Sequence, residues 1–160
     1  MPWADPHTWL VGEVPTADLL NEQIRDNLLW LREDYYHAEF TASVGVTATS
    51  EASPTTVVTL GTQTFDGAPV TVEFFCIWAQ PGTGGLVLSL WDGGTNLGIF
   101  GEIATTGGGP VHLAHRLIPT AASHEYRVRG WNRSGTTGVV FAGPGGSGQY
   151  MPGGIRAVGG

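Results

Sequence analysis

The sequence predicts a mainly β protein, a jelly-roll-like antiparallel β-sandwich preceded by an N-terminal arm and one α-helix. Three observations predict it. From residue 38 onward, short apolar runs alternate with polar residues at the two-residue period of a strand. Turn signals separate the runs at roughly ten-residue intervals: Asp66-Gly67, Pro81-Gly82, Asp92-Gly93-Gly94 and Gly107-Gly108-Gly109-Pro110. The chain also holds 25 glycines with only 13% charged residues. That composition suits a turn-rich fold, because glycine reaches the positive φ that tight turns require.

Residues 1–15 (MPWADPHTWLVGEVP) cannot form a helix, since three prolines and Gly12 interrupt them. The arm is nevertheless apolar at Trp3, Trp9, Leu10 and Val11. It must lie against something, either its own domain or a neighbouring subunit or other protein. Residues 16–36 are the one expected helix. Thr16 is a suitable N-cap and Asp18 suits the positive end of the helix dipole. Ala17, Asn21, Ile24, Leu28, Leu31 and Tyr35 step by four and three, which is the seam of a short coiled coil. An isolated helix of this length is marginal in water, so this one needs a partner surface. Sister helices would supply it, with Asn21 fixing register. The alternative is a helix resting on its own β domain, with Asn21 capping a backbone group. The expected organisation is a stem over 1–36 and a β domain over 37–160.

Strands are expected near 39–49, 55–61, 69–79, 85–91, 97–105, 111–117, 124–132, 137–142 and 150–158. Alternation places Val70, Val72, Phe74, Cys76 and Trp78 on one face. Leu86, Leu88 and Leu90 form a second such row, and Val111, Leu113, His115 and Leu117 a third. No helix-length segment separates these runs, which argues against a parallel α/β sheet.

Charge narrows the function classes. The net charge is −7, and residues 1–40 hold eight acids and two arginines while the remainder holds six acids and five arginines. The acidity therefore belongs to the N-terminal segment. Lysine is absent and no basic stripe exists, so nucleic acid is not an expected partner. Cys76 is the single cysteine and sits in an apolar run, where a small buried hydrophobe is expected rather than a reactive thiol. Neither a signal peptide nor an apolar run long enough to span a bilayer is evident, so membrane insertion is not expected and the chain should stay soluble until it meets its partners.

Residues capable of chemistry are present without a placed constellation. His112 and His115 are three apart in a strand, so they point to opposite faces and do not chelate one metal. Asp66 and Asp92 precede glycine in turns, where the carboxylate serves the backbone. A glycosidase pair would need Glu73 beside Glu102 or Glu125. Ser147 lies in Gly145-Gly146-Ser147-Gly148, which is neither a strand-to-helix nucleophile elbow nor a phosphate loop. The expectation is no enzyme, no metal and no cofactor. Trp91 and Trp131, in or beside strands, are the candidates for stacking on a glycan, with core or interface packing as the alternative.

Two stretches point further. Residues Trp9 to Leu28, reading WLVGEVPTADLLNEQIRDNL, resemble the opening of minor tail and short tail-fibre proteins of phages that infect actinobacteria. Residues Leu117 to Val128 and the ending Met151 to Val158 look like the β part of such proteins. The resemblance implies a virion structural protein: a homotrimer with a short coiled-coil stem, a jelly-roll-like head and an N-terminal segment that attaches to other virion proteins. A head that faces outward could meet a host-surface glycan. The chain is shorter than most fibres, which leaves a capsid decoration or head-fibre protein as the alternative placement. A carbohydrate-binding module is the alternative of another class.

Overall fold

The structure, a computed structural model, describes residues 7–8, 10–26, 35–104 and 107–159. The chain divides into two compact units, Met1–Tyr35 and Tyr36–Gly160. Trp3, Trp9, Leu28 and Leu31 lie outside the described residues, and of Tyr35 only the backbone is described.

In the first unit the helix starts where the N-cap predicts. Thr16 is extended (φ −84°, ψ 158°) and its Oγ1 accepts the Leu19 N–H at 3.2 Å. Helix α1, Ala17–Leu20, follows. The expected regular helix to residue 36 is corrected in two places. Asn21–Asp26 widens into π-helix, whose i→i+5 bonding turns each later side chain away from a 3.6-residue register. Tyr35, assigned to the helical seam, instead opens strand β1, Tyr35–Phe40. The reason is a competing period. Tyr36, Ala38 and Phe40 pack on the β core while His37 and Glu39 are exposed, which is the alternation of a strand.

The second unit continues with β2 (Val44–Val46), β3 (Thr55–Thr64), β4 (Val70–Gln80), β5 (Leu86–Asp92) and β6 (Thr95–Ile103). It closes with β7 (Gly109–Leu117), β8 (Ser123–Asn132), β9 (Gly138–Phe141) and β10 (Gly153–Gly159). One sheet joins β3-β8-β5-β6. The other joins β1-β10-β4-β9-β2, with β7 also on β4. Strand β7 takes one edge of β4, and the other edge is shared: β10 pairs with Val70–Phe75 and β9 with Trp78–Gln80. Strands β9 and β10 thus form one interrupted row, and β1 and β2, their outer neighbours, form another. Counted as rows, the chain makes eight segments in which first pairs with last, second with seventh, third with sixth and fourth with fifth. That nesting of two four-row antiparallel sheets is a jelly roll.

The two sheets bury Val72, Phe74, Leu86, Leu88, Val128, Val140 and Ile155 completely between them. Phe40 stacks on Phe74 with ring centroids 6.2 Å apart. One polar residue enters the core. Asn132, at the end of β8, donates from Nδ2 to the Val46 carbonyl at 2.5 Å, tying the two sheets together. Gly138 leaves room for this amide, because a Cβ there would stand 2.7 Å from Asn132 Oδ1.

Strand β4 departs from the expected alternation. Val70, Val72, Phe74 and Cys76 face inward as predicted, but Trp78 does not. The pairing with β7 slips between Cys76 and Ala79. This bulge leaves Ile77 (45% exposed) and Trp78 (38% exposed) side by side between two buried residues. Cys76 itself is buried, and burial pushes its thiol pKa up to about 11.

Phe74→Ala is expected to lower the free energy of unfolding by about 3–5 kcal/mol, since it empties the space of a fully buried ring and removes the partner of Phe40. Urea titration followed by tryptophan fluorescence measures this.

Candidate functional site

The residues proposed from sequence for a glycan sit on the outer face of the sheet β3-β8-β5-β6. Strand β5 directs Leu86, Leu88 and Leu90 inward and Val87, Ser89 and Trp91 outward, and β8 pairs Trp131 with Val87 and Arg129 with Ser89. This outer face is closed over. Val87 and Ser89 are 0% exposed and Trp131 only 7%. Trp131 is therefore corrected from a stacking platform to a packed side chain. Trp91 is partly exposed but engaged. Its indole N–H donates to Ser89 Oγ at 2.7 Å, and the Arg129 guanidinium lies 4.7 Å from its ring centre. A sugar ring seeking that face would have to displace the cation.

The carboxylates considered for hydrolysis are separated and paired. Glu73 is on β4 with Arg156, whereas Glu102 and Glu125 belong to the other sheet. Arg133 binds Glu102 through two hydrogen bonds of 2.6 and 2.9 Å, holding its carboxyl below the usual carboxylate range. Arg127 pairs with Glu125. His112 lies opposite Phe75 and His115 opposite Val72, on opposite faces of their sheet as the spacing requires.

The most developed polar cluster was not foreseen. His124, at the start of β8, meets Asp92 Oδ2 through Nδ1 at 2.5 Å, while Asp92 Oδ1 accepts the Glu125 N–H at 3.1 Å. On its other side, His124 Nε2 reaches the Thr120 carbonyl at 3.0 Å and Thr120 Oγ1 at 3.2 Å. The imidazole stacks on Tyr126 (6.0 Å between centroids) and meets the edge of Phe65 at 5.9 Å. Hydroxyl, imidazole and carboxylate in this order resemble a nucleophile–base–acid relay. The Thr120 carbonyl decides otherwise. A carbonyl can only accept, so Nε2 carries a hydrogen toward it, and Asp92 favours a second hydrogen on Nδ1. In the protonated form, which Asp92 favours, the imidazole has no lone pair with which to deprotonate Thr120. The cluster is a latch joining the β5–β6 turn to the β7–β8 connection. No local pattern announces it, because Asp92 and His124 are 32 positions apart and meet only through the β5–β8 pairing.

Apart from Leu97, Ile99 and Ile118 in the β unit, two groups of exposed apolar side chains remain among the described residues. In the N-terminal unit they are Leu10 (72% exposed), Val11 (109%), Val14 (81%), Leu20 (39%) and Ile24 (54%). Of the sequence-predicted stem and arm residues described here, Leu10, Val11 and Ile24 are exposed and Asn21 is half-buried, while Ala17 is exposed beside the cap. The second group, Ile77, Trp78, Tyr150 and Met151, lies in the β unit and was not singled out from sequence.

The Asp92 hydrogen bond raises the His124 pKa above its ordinary 6.5. A raised folded-state value means that the latch contributes stability below the unfolded pKa and loses it as pH rises through the folded one. The melting temperature of the wild type should therefore exceed that of His124→Gln most at about pH 5.5–6, with the gap narrowing toward about pH 9. A gap independent of pH would place the stabilisation in ring packing alone.

No protein-family model matches the chain, and neither does any curated protein. Among solved structures, it is similar to the VP2 subviral particle of infectious bursal disease virus (12% identity, TM-score 0.37) and to the Gt strain of that virus (10%, TM-score 0.36). Each alignment covers 78% of this chain and 37% of the viral one, so the chain spans little more than a third of those proteins. Bacillus endospore appendages, a family of disulfide-linked pili, align over 68% of this chain and 90% of theirs at 13% identity and TM-score 0.26. The assignment of the fold rests on the strand pairing described above.

Proposed function

We propose that this chain is a non-enzymatic structural protein of a virus particle, a self-assembling tail-tip or short-fibre component whose β unit faces outward. One observation carries the assembly: the N-terminal unit leaves Leu10, Val11, Val14, Leu20 and Ile24 exposed together. Isolated exposed leucines are ordinary, but a short segment that exposes five large apolar side chains gains free energy by being covered. Copies of the same segment and other virion proteins are the proposed cover, with Leu10 and Val11 in the attaching arm and Ala17, Asn21 and Ile24 between copies. The placement in a virion is supported by the motif over residues 9–28. The same plan serves a capsid decoration or head-fibre protein.

Sedimentation velocity on the full chain checks the assembly. The wild type is expected at a multiple of the 16.9 kDa chain mass, with three chains the proposed number. Ile24→Asp should weaken that association at least tenfold, since it places a charge on the covered surface. A wild type that stays monomeric at every concentration would overturn the proposal. Gold labelling of intact particles at the tail, rather than the head, separates the two virion placements.

A further inference from the structure

The outer face of the sheet holding β4 carries an exposed apolar and aromatic patch. Its first half is the bulge, with Ile77 and Trp78 both outward. Phe141 of β9 lies directly opposite Trp78 across the strand pair. Tyr150 joins them, its ring 5.2 Å from that of Phe141. The connection between β9 and β10 folds back to hold this arrangement. Gly145 donates to the Tyr150 carbonyl at 2.9 Å and Gly143 to the Met151 carbonyl at 3.2 Å. Tyr150 and Met151 remain 46% and 59% exposed.

We infer that this patch, centred on Ile77, Trp78, Tyr150 and Met151, is a surface through which the β units of neighbouring copies meet. The inference rests on the self-assembly proposed above and locates a second contact, outside the stem. Three features select a copy of the same chain as the occupant. The first is charge. Identical surfaces meeting around a symmetry axis bring identical charges together, so a contact between copies is favoured where charged side chains are absent. No charged residue occurs between Glu73 and Asp92, or between Arg133 and Arg156, and the patch is built from those two stretches. The charges of the β surface stand outside it: Glu73 with Arg156 further along the same outer face, and Arg127, Arg129 and Arg133 with Glu102 and Glu125 on the other sheet.

The second is area. From their fractional exposures the four side chains present on the order of 400 Å². An apolar centre of that size with a polar rim around it makes up the roughly 800 Å² that one partner gives to a standard interface. The third is residue type. Trp, Tyr and Met are enriched at the centres of interfaces, and a tryptophan anchored on one side and open on the other is a common hot spot. Trp78 is so anchored. Gly108 packs on it closely enough that a Cβ there would come within 2.3 Å of the indole Nε1.

Cysteine cross-linking and sedimentation on the full chain test this. Met151→Cys should form a covalent dimer on mild oxidation, whereas Leu97→Cys, comparably exposed at 46% on β6, should not. The native Cys76 is buried with a raised thiol pKa and does not compete. Ile77→Glu and Met151→Glu should each weaken association at least tenfold without altering the circular dichroism of the monomer. Wild-type association that both variants leave unchanged, with no Met151→Cys dimer, overturns this inference and leaves the stem proposal standing. A monomeric wild type overturns both.

Discussion

The register slip in β4 between Cys76 and Ala79 is the constraint on which most of the molecule depends. Strand β4 has neighbours along both edges for nearly its whole length, with β7 on one side and β10 and then β9 on the other. Before the slip, its inward residues Val70, Val72, Phe74 and Cys76 build the core. After it, Ala79 turns inward, Trp78 stays outside, and the shared edge passes from β10 to β9. A regular strand would have buried Trp78 in place of Ala79 and left Ile77 on the outer face without it. Bulges re-aim side chains in this way elsewhere in β proteins. Here the product is an uncharged aromatic patch on a protein that otherwise arms its β surface with arginine–carboxylate pairs.

The two outer faces consequently have different characters. The face containing Trp91 and Trp131 has already buried its apolar residues within the chain and finished its rim with ion pairs. The face containing Trp78 carries the Glu73–Arg156 pair but leaves Ile77 and Trp78 exposed. Surface ion pairs add little stability individually, but a rim of mixed charges discourages contact between like copies. The His124 latch belongs to this division as well. It joins the β5–β6 turn to the β7–β8 connection.

Much of the β unit was legible in the sequence. Alternation in Leu86, Leu88 and Leu90 and in Val111, Leu113 and Leu117 places these residues on the faces they occupy, and the turn signals mark the correct breaks. What failed shares one cause: dependence on distant residues. A bulge is defined by the neighbouring strand, so period-two counting carried Trp78 inward. Tyr35 fitted a heptad by spacing, yet the strand that begins there is fixed by pairing with β10 near the C-terminus. Trp131 looked available because it lies near the end of a strand, but its side chain is only 7% exposed. Asp92 was read as a turn carboxylate bonded to its own backbone. Its partners proved to be His124 and the Glu125 amide, and no short motif encodes that meeting.

The central claim is that the chain buries the outer face around Trp78 against copies of itself. Hydroxyl-radical footprinting reads it directly, because Trp78, Tyr150 and Met151 are among the most readily oxidised side chain types. Compared at concentrations above and below assembly, oxidation of these three should fall several-fold in the assembled form, with Trp91 unchanged. Equal oxidation of Trp78, Tyr150 and Met151 in both forms would contradict the claim.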